Sequence, residues 1–253
     1  MVNIIQKANT IATKAVYKNI GDNSSNLLKH MPRWLGLIPY ELYVLPGMFL
    51  ALGTMLWTGS ITPLQFHLLP HWFAFSIFTY IKHNVHRERP GCRFPDMSIR
   101  DSPSHCNKAR FLSFPSGHTG ICFALATSLS LTLLSDRKLG KLFGLIDYDN
   151  KNIRYATLVI AYIVCVSTAI HRVSYGYHYV GDTIIGALIG MSIGYISYHI
   201  IEQLRGDKEE ADISEITKTP IWNIIKYVGV LFCGIAILHF FLYNFKKLAD
   251  IQH

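Results

Sequence analysis

The sequence predicts an all-α protein, an integral membrane helical bundle of about six transmembrane helices. Composition is the first observation: 50% of the 253 residues are hydrophobic and only 16% are charged, whereas an average soluble domain has roughly 25% charged residues. The second is a series of about six apolar runs near the length of about 20 residues that crosses a hydrocarbon core. Because these runs use most of the chain, we expect one membrane-embedded domain over residues 35–253, preceded by a separate segment over residues 1–34.

The apolar runs are separated by polar segments. They lie at Leu35–Trp57, Ile61–Lys82, Thr119–Leu134, Arg154–Ile170, Tyr179–Ile201 and Ile221–Phe245. The first run contains Glu41, Pro46 and Gly47, so it is predicted either to cross the membrane or to form a bent or re-entrant helix. If the first run crosses the membrane, the N-terminus lies on the same side as the loop that follows the second run. If the first run is re-entrant, the N-terminus lies on the opposite side.

Residues 1–34 form a basic segment with an amphipathic pattern. Small and branched apolar residues recur at helical spacing, and lysines stand beside them: Ile4, Ala8, Ile11 and Ala15 with Lys7, Lys14 and Lys18. This pattern predicts a helix on a membrane surface, with a disordered basic tail as the alternative. The net charge of +8 comes without a nucleic-acid-binding motif, so we expect anionic lipid or an anionic substrate as the partner and no nucleic acid.

The ends of the four middle runs carry three polar motifs. They are Lys82 with Arg89-Pro90, then Pro115-Ser116-Gly117-His118, then Arg172 with His178 and Asp182. Ionisable residues near a bilayer are costly and indicate a functional site. The first two motifs share the loop between the second and third runs, and the third motif lies in a loop two membrane crossings later. All three motifs are therefore predicted on one side of the membrane.

The cations among these residues suit a phosphate group. Arg89 and Arg172 offer planar forks that match phosphate oxygens, and Lys82 offers a compact charge. Ser116 and Gly117 stand where a loop becomes a predicted helix, and the backbone N–H groups at such a terminus favour an anion. The combination predicts a site that neutralises a phosphoryl group in the transition state.

The remaining residues predict nucleophilic catalysis. His178 and Asp182 are four residues apart at the start of a predicted helix, so we expect them on one face and in contact. A carboxylate bonded to one imidazole nitrogen leaves the other nitrogen as a nucleophile. Phosphoryl transfer to His178 would give a phosphohistidine, with His118 first protonating the leaving oxygen and then activating water.

A metal site is the alternative use of these histidines. The sequence has no His-Glu-x-x-His motif and no paired-cysteine arrangement. Permanent cations in the same pocket would also repel a divalent ion. We therefore expect metal-independent chemistry without a cofactor.

The order and internal spacing of the motifs resemble the three-part signature of the type 2 phosphatidic acid phosphatase and vanadium haloperoxidase superfamily. The resemblance extends from the second run to the fifth. It implies a helical bundle and, for the phosphatase members, activity without a metal. It also implies a role for each site residue: His178 is the nucleophile, His118 the acid and base, Asp182 the orienting partner, and Lys82, Arg89, Ser116, Gly117 and Arg172 bind phosphate.

Two departures from the family pattern bear on these expectations. His171 stands where the third motif usually has a serine beside its arginine, so a hydrogen bond from that serine to the phosphate does not carry over directly to this chain. Many membrane members also have three spans before the first motif, whereas two are found here. Two spans would put the N-terminus on the active-site side.

The resemblance favours a membrane phosphatase that hydrolyses a lipid phosphomonoester or diphosphate, with the bilayer and a lipid phosphate as partners. A lipid phosphotransferase with the same histidine chemistry is one alternative, and a non-catalytic protein that binds anionic lipid is another. Related transferases often have two adjacent histidines in the third motif, but here Tyr177 precedes His178. This difference favours hydrolysis.

The polar segment Gly91–Arg110 is predicted to be an ordered loop over the membrane. A disulfide between Cys92 and Cys106 is geometrically allowed there if the loop faces an oxidising compartment. Several basic residues in and beside the loop predict recognition of further negative charge on a head group. They are Arg87, Arg93, Arg100, Lys108 and Arg110.

Overall fold

The part of the chain that a computed structural model describes is mainly helical, and it covers residues 2–21, 47, 49–53, 56–57, 62–100, 105–135, 141–142, 146–147, 149–205 and 227–228. In chain order the elements are α1 (Val2–Gly21), α2 (Thr62–Val85), α3 (Pro90–Arg93), α4 (His105–Ala109), α5 (Gly117–Leu134), β1 (Lys141–Leu142), β2 (Ile146–Asp147), α6 (Lys151–Ser174) and α7 (Val180–Arg205). β1 and β2 form one short antiparallel pair in the connector between α5 and α6. The predicted all-α class is confirmed.

Three of the described helices, α5, α6 and α7, are long and apolar enough to cross a membrane. They correspond to the third, fourth and fifth predicted spans. The second predicted span corresponds to α2, a helix of 24 residues. Most of the first predicted span and nearly all of the last lie outside the described residues. The helical membrane bundle is thus confirmed, while the count of about six spans stays a prediction.

Outward-facing side chains on these helices are apolar. On α6, Val159, Ile160 and Ile163 are more than half exposed, and on α7 so are Leu188 and Ile196. Contiguous apolar surface of this kind marks contact with a membrane or a partner. Because these residues lie on helices long enough to span a bilayer, lipid is the expected neighbour.

Helix α5 is the centre of the bundle and packs against α2, α6 and most extensively α7. On its α2 side, Phe78, Ala124 and Leu125 belong to one buried apolar cluster. On its α6 side, Cys122 and Cys165 belong to a second. The N-terminus of α5 carries the second motif, so this packing fixes the position of Ser116 and Gly117.

Three glycines spaced by one helical turn allow α7 to approach the backbone of α5. A methyl group added at Gly186 would lie 2.6 Å from the carbonyl oxygen of Ser116. Methyl groups at Gly190 and Gly194 would overlap the carbonyl oxygens of Gly120 and Ala124. Small residues permit such close contact between membrane helices. The glycines therefore set the distance between the second and third motifs.

Replacing Gly190 with alanine is expected to destabilise the bundle by about 1–3 kcal/mol, because an added methyl group in a packed interface forces the helices apart. The measurement is the thermal unfolding midpoint of the purified protein in detergent. Ser192→Val is the matched control, since it also adds bulk to the same helix, at a position that is exposed. Equal midpoints for Gly190→Ala and the wild-type protein would contradict this account of the α5–α7 contact.

The basic N-terminal segment is helical over Val2–Gly21 and packs against α6 and α7. The alternative of a disordered tail is therefore wrong for these residues. Its side chains hydrogen-bond to α7 at Val180 and Gly181, the first two residues of that helix. Helix α1 thus lies at the end of the bundle that carries the third motif.

Candidate active site

Two loops meet at this end of the bundle, one between α2 and α5 and one between α6 and α7. The amide of Gly91 donates to the carbonyl of Gly176 at 2.9 Å, and the amide of Ser116 donates to the carbonyl of Asp182 at 3.0 Å. Within the first loop, the amide of Ser113 donates to the carbonyl of Arg87 at 2.9 Å. These bonds bring the three motifs together at one end of the helices.

The third motif forms a tight turn after α6. The amides of Tyr177 and His178 both donate to the carbonyl of Arg172 at 3.1 Å. Gly176 has a φ of +76°, and a side chain there would also lie 2.6 Å from the carbonyl oxygen of Ser98, so only glycine fits this position. The turn places His178 before α7 begins at Val180, rather than on the helix as the sequence predicted.

The imidazole of His178 is buried and held in one tautomer. Its Nδ1 atom lies 2.5 Å from the carbonyl oxygen of Ser113. A carbonyl oxygen only accepts, so Nδ1 carries the proton. In the neutral ring Nε2 then has the lone pair, and it faces Nη1 of Arg89 at 3.4 Å. The ring is therefore oriented as a nucleophile would be, with its lone pair toward the cations.

The surroundings of His178 lower its pKa well below the usual range. Burial is the main cause, and the positive charges of Arg89, Lys82 and Arg172 add to it, followed by His118. Each of these effects disfavours the protonated ring. His178 is accordingly neutral at physiological pH, with Nε2 unprotonated.

Asp182 is fully buried and lies beside the His178 ring, so the predicted contact is present, although it is too long for a hydrogen bond. Its Oδ2 atom lies 3.9 Å from Nδ1 of His178. The same oxygen accepts instead from the hydroxyl of Ser113 at 2.5 Å and from the amide of Tyr179 at 3.1 Å. The other oxygen, Oδ1, accepts from Arg87 at 2.6 Å. Asp182 therefore acts on the ring through Ser113, whose carbonyl binds Nδ1.

Three cations lie around the His178 ring. Arg89 is almost fully buried, and it donates through Nε to the carbonyl of Ala109 at 2.9 Å and through Nη1 to that of Tyr177 at 3.0 Å. Burial, reinforced by the charge of Arg172, lowers the pKa of Arg89 to about 10, so it stays charged at neutral pH. Lys82 donates to the carbonyl of Leu112 at 2.9 Å.

Arg172 is oriented by an aromatic ring. Its guanidinium lies 3.7 Å from the ring centroid of Tyr177, and that of Arg89 lies 5.5 Å from the same centroid. Such cation–π contacts stabilise the position of a guanidinium without using its N–H donors. Tyr177 was noted in the sequence only because related transferases often have a histidine at this position. In the structure its ring contacts the guanidinium groups of both Arg89 and Arg172.

The second motif begins α5 as predicted, but its backbone groups are used differently. The amide of Ser116 donates to Asp182, so the expectation that it points freely toward the site is wrong. The hydroxyl of Ser116 pairs with that of Thr119 at 3.0 Å and makes no cap to the helix backbone. A methyl group at Gly117 would touch Lys82 at 3.4 Å. His118, one residue further along α5, is half-buried.

His171, the departure from the family pattern, is buried in the last turn of α6. Its ring lies against that of Tyr175, with centroids 4.3 Å apart. Tyr175 in turn belongs to a small cluster with Ile99 and Tyr177. The aromatic packing of His171 thus supports the turn that leads to His178.

Three arginines in the long loop between α2 and α5 are engaged by partners within the protein. Arg87 is paired with Asp182, and Arg110 pairs with Glu88 at 2.7 Å. Arg100 donates to the carbonyl of Ser174 at 3.1 Å and stacks on the ring of Tyr17. The structure therefore does not support recognition of additional charge by these three arginines.

Cys92 and Cys106 form a disulfide with a Cα–Cα distance of 5.6 Å. The disulfide that the sequence allowed is therefore formed. The bridge joins α3 to α4 and lies against the cluster of Ile99, Tyr175 and Tyr177. It holds the long loop over the turn that carries the third motif.

Two contributors to the site had no assigned catalytic role in the sequence. Ser113 contacts both His178 and Asp182, and Arg87 contacts Asp182 and lies 4.3 Å from the ring centroid of Tyr179. Ser113 was marked in the sequence only by its position three residues before Ser116, and Arg87 only by its charge and its position two residues before Arg89. Among the described residues, no group of three or more His, Cys, Asp or Glu side chains could hold a metal ion.

Comparison with known proteins identifies the family. The model of the PAP2 superfamily matches residues 65–205, more than half of the chain, and the match includes all three motifs. No curated protein and no solved structure matches the chain significantly. The chain therefore belongs to the PAP2 superfamily, whose members are generally phosphatases.

Proposed function

We propose that this membrane protein hydrolyses a phosphomonoester or diphosphate of a lipid through a phosphohistidine on Nε2 of His178. The single observation that supports the proposal most is the state of this ring. The Ser113 carbonyl holds the proton on Nδ1, and Nε2 faces Arg89. A lowered pKa keeps the ring neutral. A neutral, oriented imidazole among permanent cations suits attack on an anionic phosphorus centre.

In the first step, the Nε2 lone pair attacks phosphorus and the bond from phosphorus to the lipid oxygen breaks. His118 donates a proton to the departing oxygen, which leaves as the lipid alcohol or lipid monophosphate. Arg89, Arg172 and Lys82 offset the charge that develops on the phosphoryl oxygens. Ser113 accepts from Nδ1–H throughout, which stabilises the positive charge that the ring gains.

In the second step, His118 removes a proton from water as the water attacks the phosphohistidine. The bond between phosphorus and Nε2 breaks, and its electron pair returns to the ring of His178. Inorganic phosphate leaves and both histidines regain their starting states. An acid or base in each of these roles is typically worth about 10²–10⁴ in rate.

Membrane helices support a lipid as the substrate. The second and third motifs lie at the ends of α5, α6 and α7, the helices that are apolar enough to span a bilayer, and the first motif lies at the end of α2. A phosphate head group lies at the same level, where the hydrocarbon core meets water. Helices that place the site at this level favour a substrate anchored in the bilayer over a soluble one.

The proposal predicts phosphate release from lipid phosphates in the presence of excess EDTA. Purified protein is reconstituted with lipid phosphomonoesters and diphosphates in turn, and inorganic phosphate is measured. We expect the same rate with and without EDTA, since permanent cations take the place of a metal ion. A rate that EDTA abolishes and added divalent metal restores would contradict metal-independent catalysis.

The same assay separates hydrolysis from transfer. An acceptor lipid with a free hydroxyl is added, and the products are resolved by mass spectrometry. Hydrolysis predicts inorganic phosphate as the main product at every acceptor concentration. Transfer predicts a new phosphorylated lipid whose yield increases with the acceptor.

A further inference from the structure

Helix α1 has two faces with different partners. Asn9, Thr13 and Tyr17 recur at intervals of four residues on the inward face, and Thr13 and Tyr17 are buried. Residues Ile4, Ala8, Ile11 and Ala15 recur on the other side and are exposed. A helix that contributed only packing would bury its apolar residues. In α1 the polar face is docked on the protein and the apolar face is outside.

The inward face caps the helix that follows His178. The side-chain oxygen of Asn9 accepts from the amide of Gly181 at 2.8 Å, and the hydroxyl oxygen of Thr13 accepts from the amide of Val180 at 3.1 Å. The first N–H groups of a helix have no partner within the helix. Side chains from a distant segment supply the partners here, immediately next to the turn that carries the nucleophile.

Further contacts bind α1 to the long loop. The hydroxyl oxygen of Tyr17 accepts from the amide of Ser98 at 3.0 Å. Lys14 pairs with Asp96 at 2.8 Å. The carbonyl of Tyr17 accepts from Arg100 at 3.2 Å. The docked face of α1 thus bridges both loops that form the site.

The outward face fits an anionic lipid surface. Ile4 and Ile11 are 73% and 60% exposed, and Lys7 and Lys18 lie exposed beside this apolar stripe. The helix contains no acidic residue. Because α1 packs where α6 ends and α7 begins, it lies at the level where membrane helices leave the hydrocarbon core. An apolar stripe flanked by lysines is the pattern of a helix in the plane of a membrane interface.

We propose that α1 binds the anionic surface of the surrounding bilayer through its outward face and, through Asn9 and Thr13, holds the start of α7 in the position that the reaction requires. The surface partner is a phospholipid bilayer with anionic head groups. The second half of the proposal rests on the proposed function, because it concerns the geometry around His178. The first half concerns binding alone and is tested without an activity assay.

The binding half is tested with an environment-sensitive fluorophore on the full chain. The label is attached at Ile11→Cys, and at Gln6→Cys as the exposed control position, with labelling of the unsubstituted chain as background. The protein is reconstituted in phosphatidylcholine with and without phosphatidylglycerol. We expect a blue shift at Ile11→Cys that increases with phosphatidylglycerol and no comparable shift at Gln6→Cys.

Charge is then removed from the same labelled protein. Lys7→Gln and Lys18→Gln are each expected to weaken the response to phosphatidylglycerol by about fivefold, the effect of one basic residue near an anionic surface. Lys151→Gln, an exposed lysine at the other end of α6, is the control and should change nothing. An Ile11→Cys label that stays in water in both lipid mixtures would overturn the binding half and would favour a protein partner for this face.

The positioning half is tested with Asn9→Ala and Thr13→Ala. Both variants are expected to lower kcat by about tenfold to 10²-fold with little change in KM, since misplaced catalytic groups slow the chemical step more than binding. Thr13→Ser keeps the hydroxyl and should restore kcat. Variants with a lower melting temperature but an unchanged kcat would overturn this half. If wild-type protein releases no phosphate from any lipid phosphate, the proposed function fails, and the fluorescence experiment still decides the binding half.

Discussion

Replacing His178 with alanine is expected to lower phosphate release from lipid phosphates by at least about 10⁴-fold, the scale of loss when an enzyme that forms a covalent intermediate lacks its nucleophile. The cations that bind phosphate remain, so substrate binding should persist. The measurement is inorganic phosphate release by reconstituted protein, together with lipid phosphate binding to the variant. His83→Ala is the matched control, because His83 is an exposed imidazole at the end of α2 and lies outside the proposed chemistry.

Trapping of the intermediate gives this prediction a second readout. Wild-type protein quenched during turnover with labelled substrate should carry phosphate that is lost in acid and kept in base, as expected for a phosphohistidine. In His118→Ala the second step lacks its base, so labelled protein should accumulate with substrates that have a good leaving group. Robust turnover by His178→Ala would exclude this residue as the nucleophile. Intact lipid binding with no turnover by any form of the protein would instead favour the non-catalytic alternative.

Replacing Asp182 with asparagine is expected to have the second largest effect, on stability and on rate. Asp182 is fully buried and joins Arg87, Ser113 and the amide of Tyr179. Removing one partner of a buried ion pair costs about 3–5 kcal/mol. We expect about 2–3 kcal/mol here, because the side chain of Arg87 is 28% exposed and water can solvate it. Displacement of Ser113 should also lower kcat by about 10²-fold, since this residue holds the His178 ring.

Thermal unfolding in detergent and phosphate release measure the two effects of Asp182→Asn. The matched control is Glu88→Gln in the same loop, whose partner Arg110 is 52% exposed. Loss of that surface pair should change stability by less than about 1 kcal/mol and leave the rate unchanged. If Asp182→Asn behaves like Glu88→Gln, Asp182 does not organise the site.

The helical class and the family followed from features that local sequence carries. The apolar runs predicted α2, α5, α6 and α7, because each helix must cover its own length of hydrocarbon. Their ends were predicted only approximately. The contact between Gly190 and Gly120 was not predicted, although the spacing of Gly186, Gly190 and Gly194 is visible in the sequence.

Residue types and span parity in the sequence predict that Lys82, Arg89, Ser116, His118 and Arg172 share one candidate site. Permanent cations near a bilayer are energetically costly and therefore indicate a functional site. A chain that crosses the membrane an even number of times returns to the same side. These arguments use only composition and order along the chain. They predict which residues meet and not which atoms bond.

Only the tertiary structure decided what holds the ring of His178. Four-residue spacing brings side chains together on a helix, but His178 lies in the turn before α7 begins at Val180. The partner of its ring is the carbonyl of Ser113, which lies 65 residues earlier in the chain. Every residue has such a carbonyl, so no residue type signals this contact. The sequence by itself determined the membrane bundle and the set of chemical groups, whereas backbone packing between two distant loops decided the tautomer and the orientation of the His178 ring.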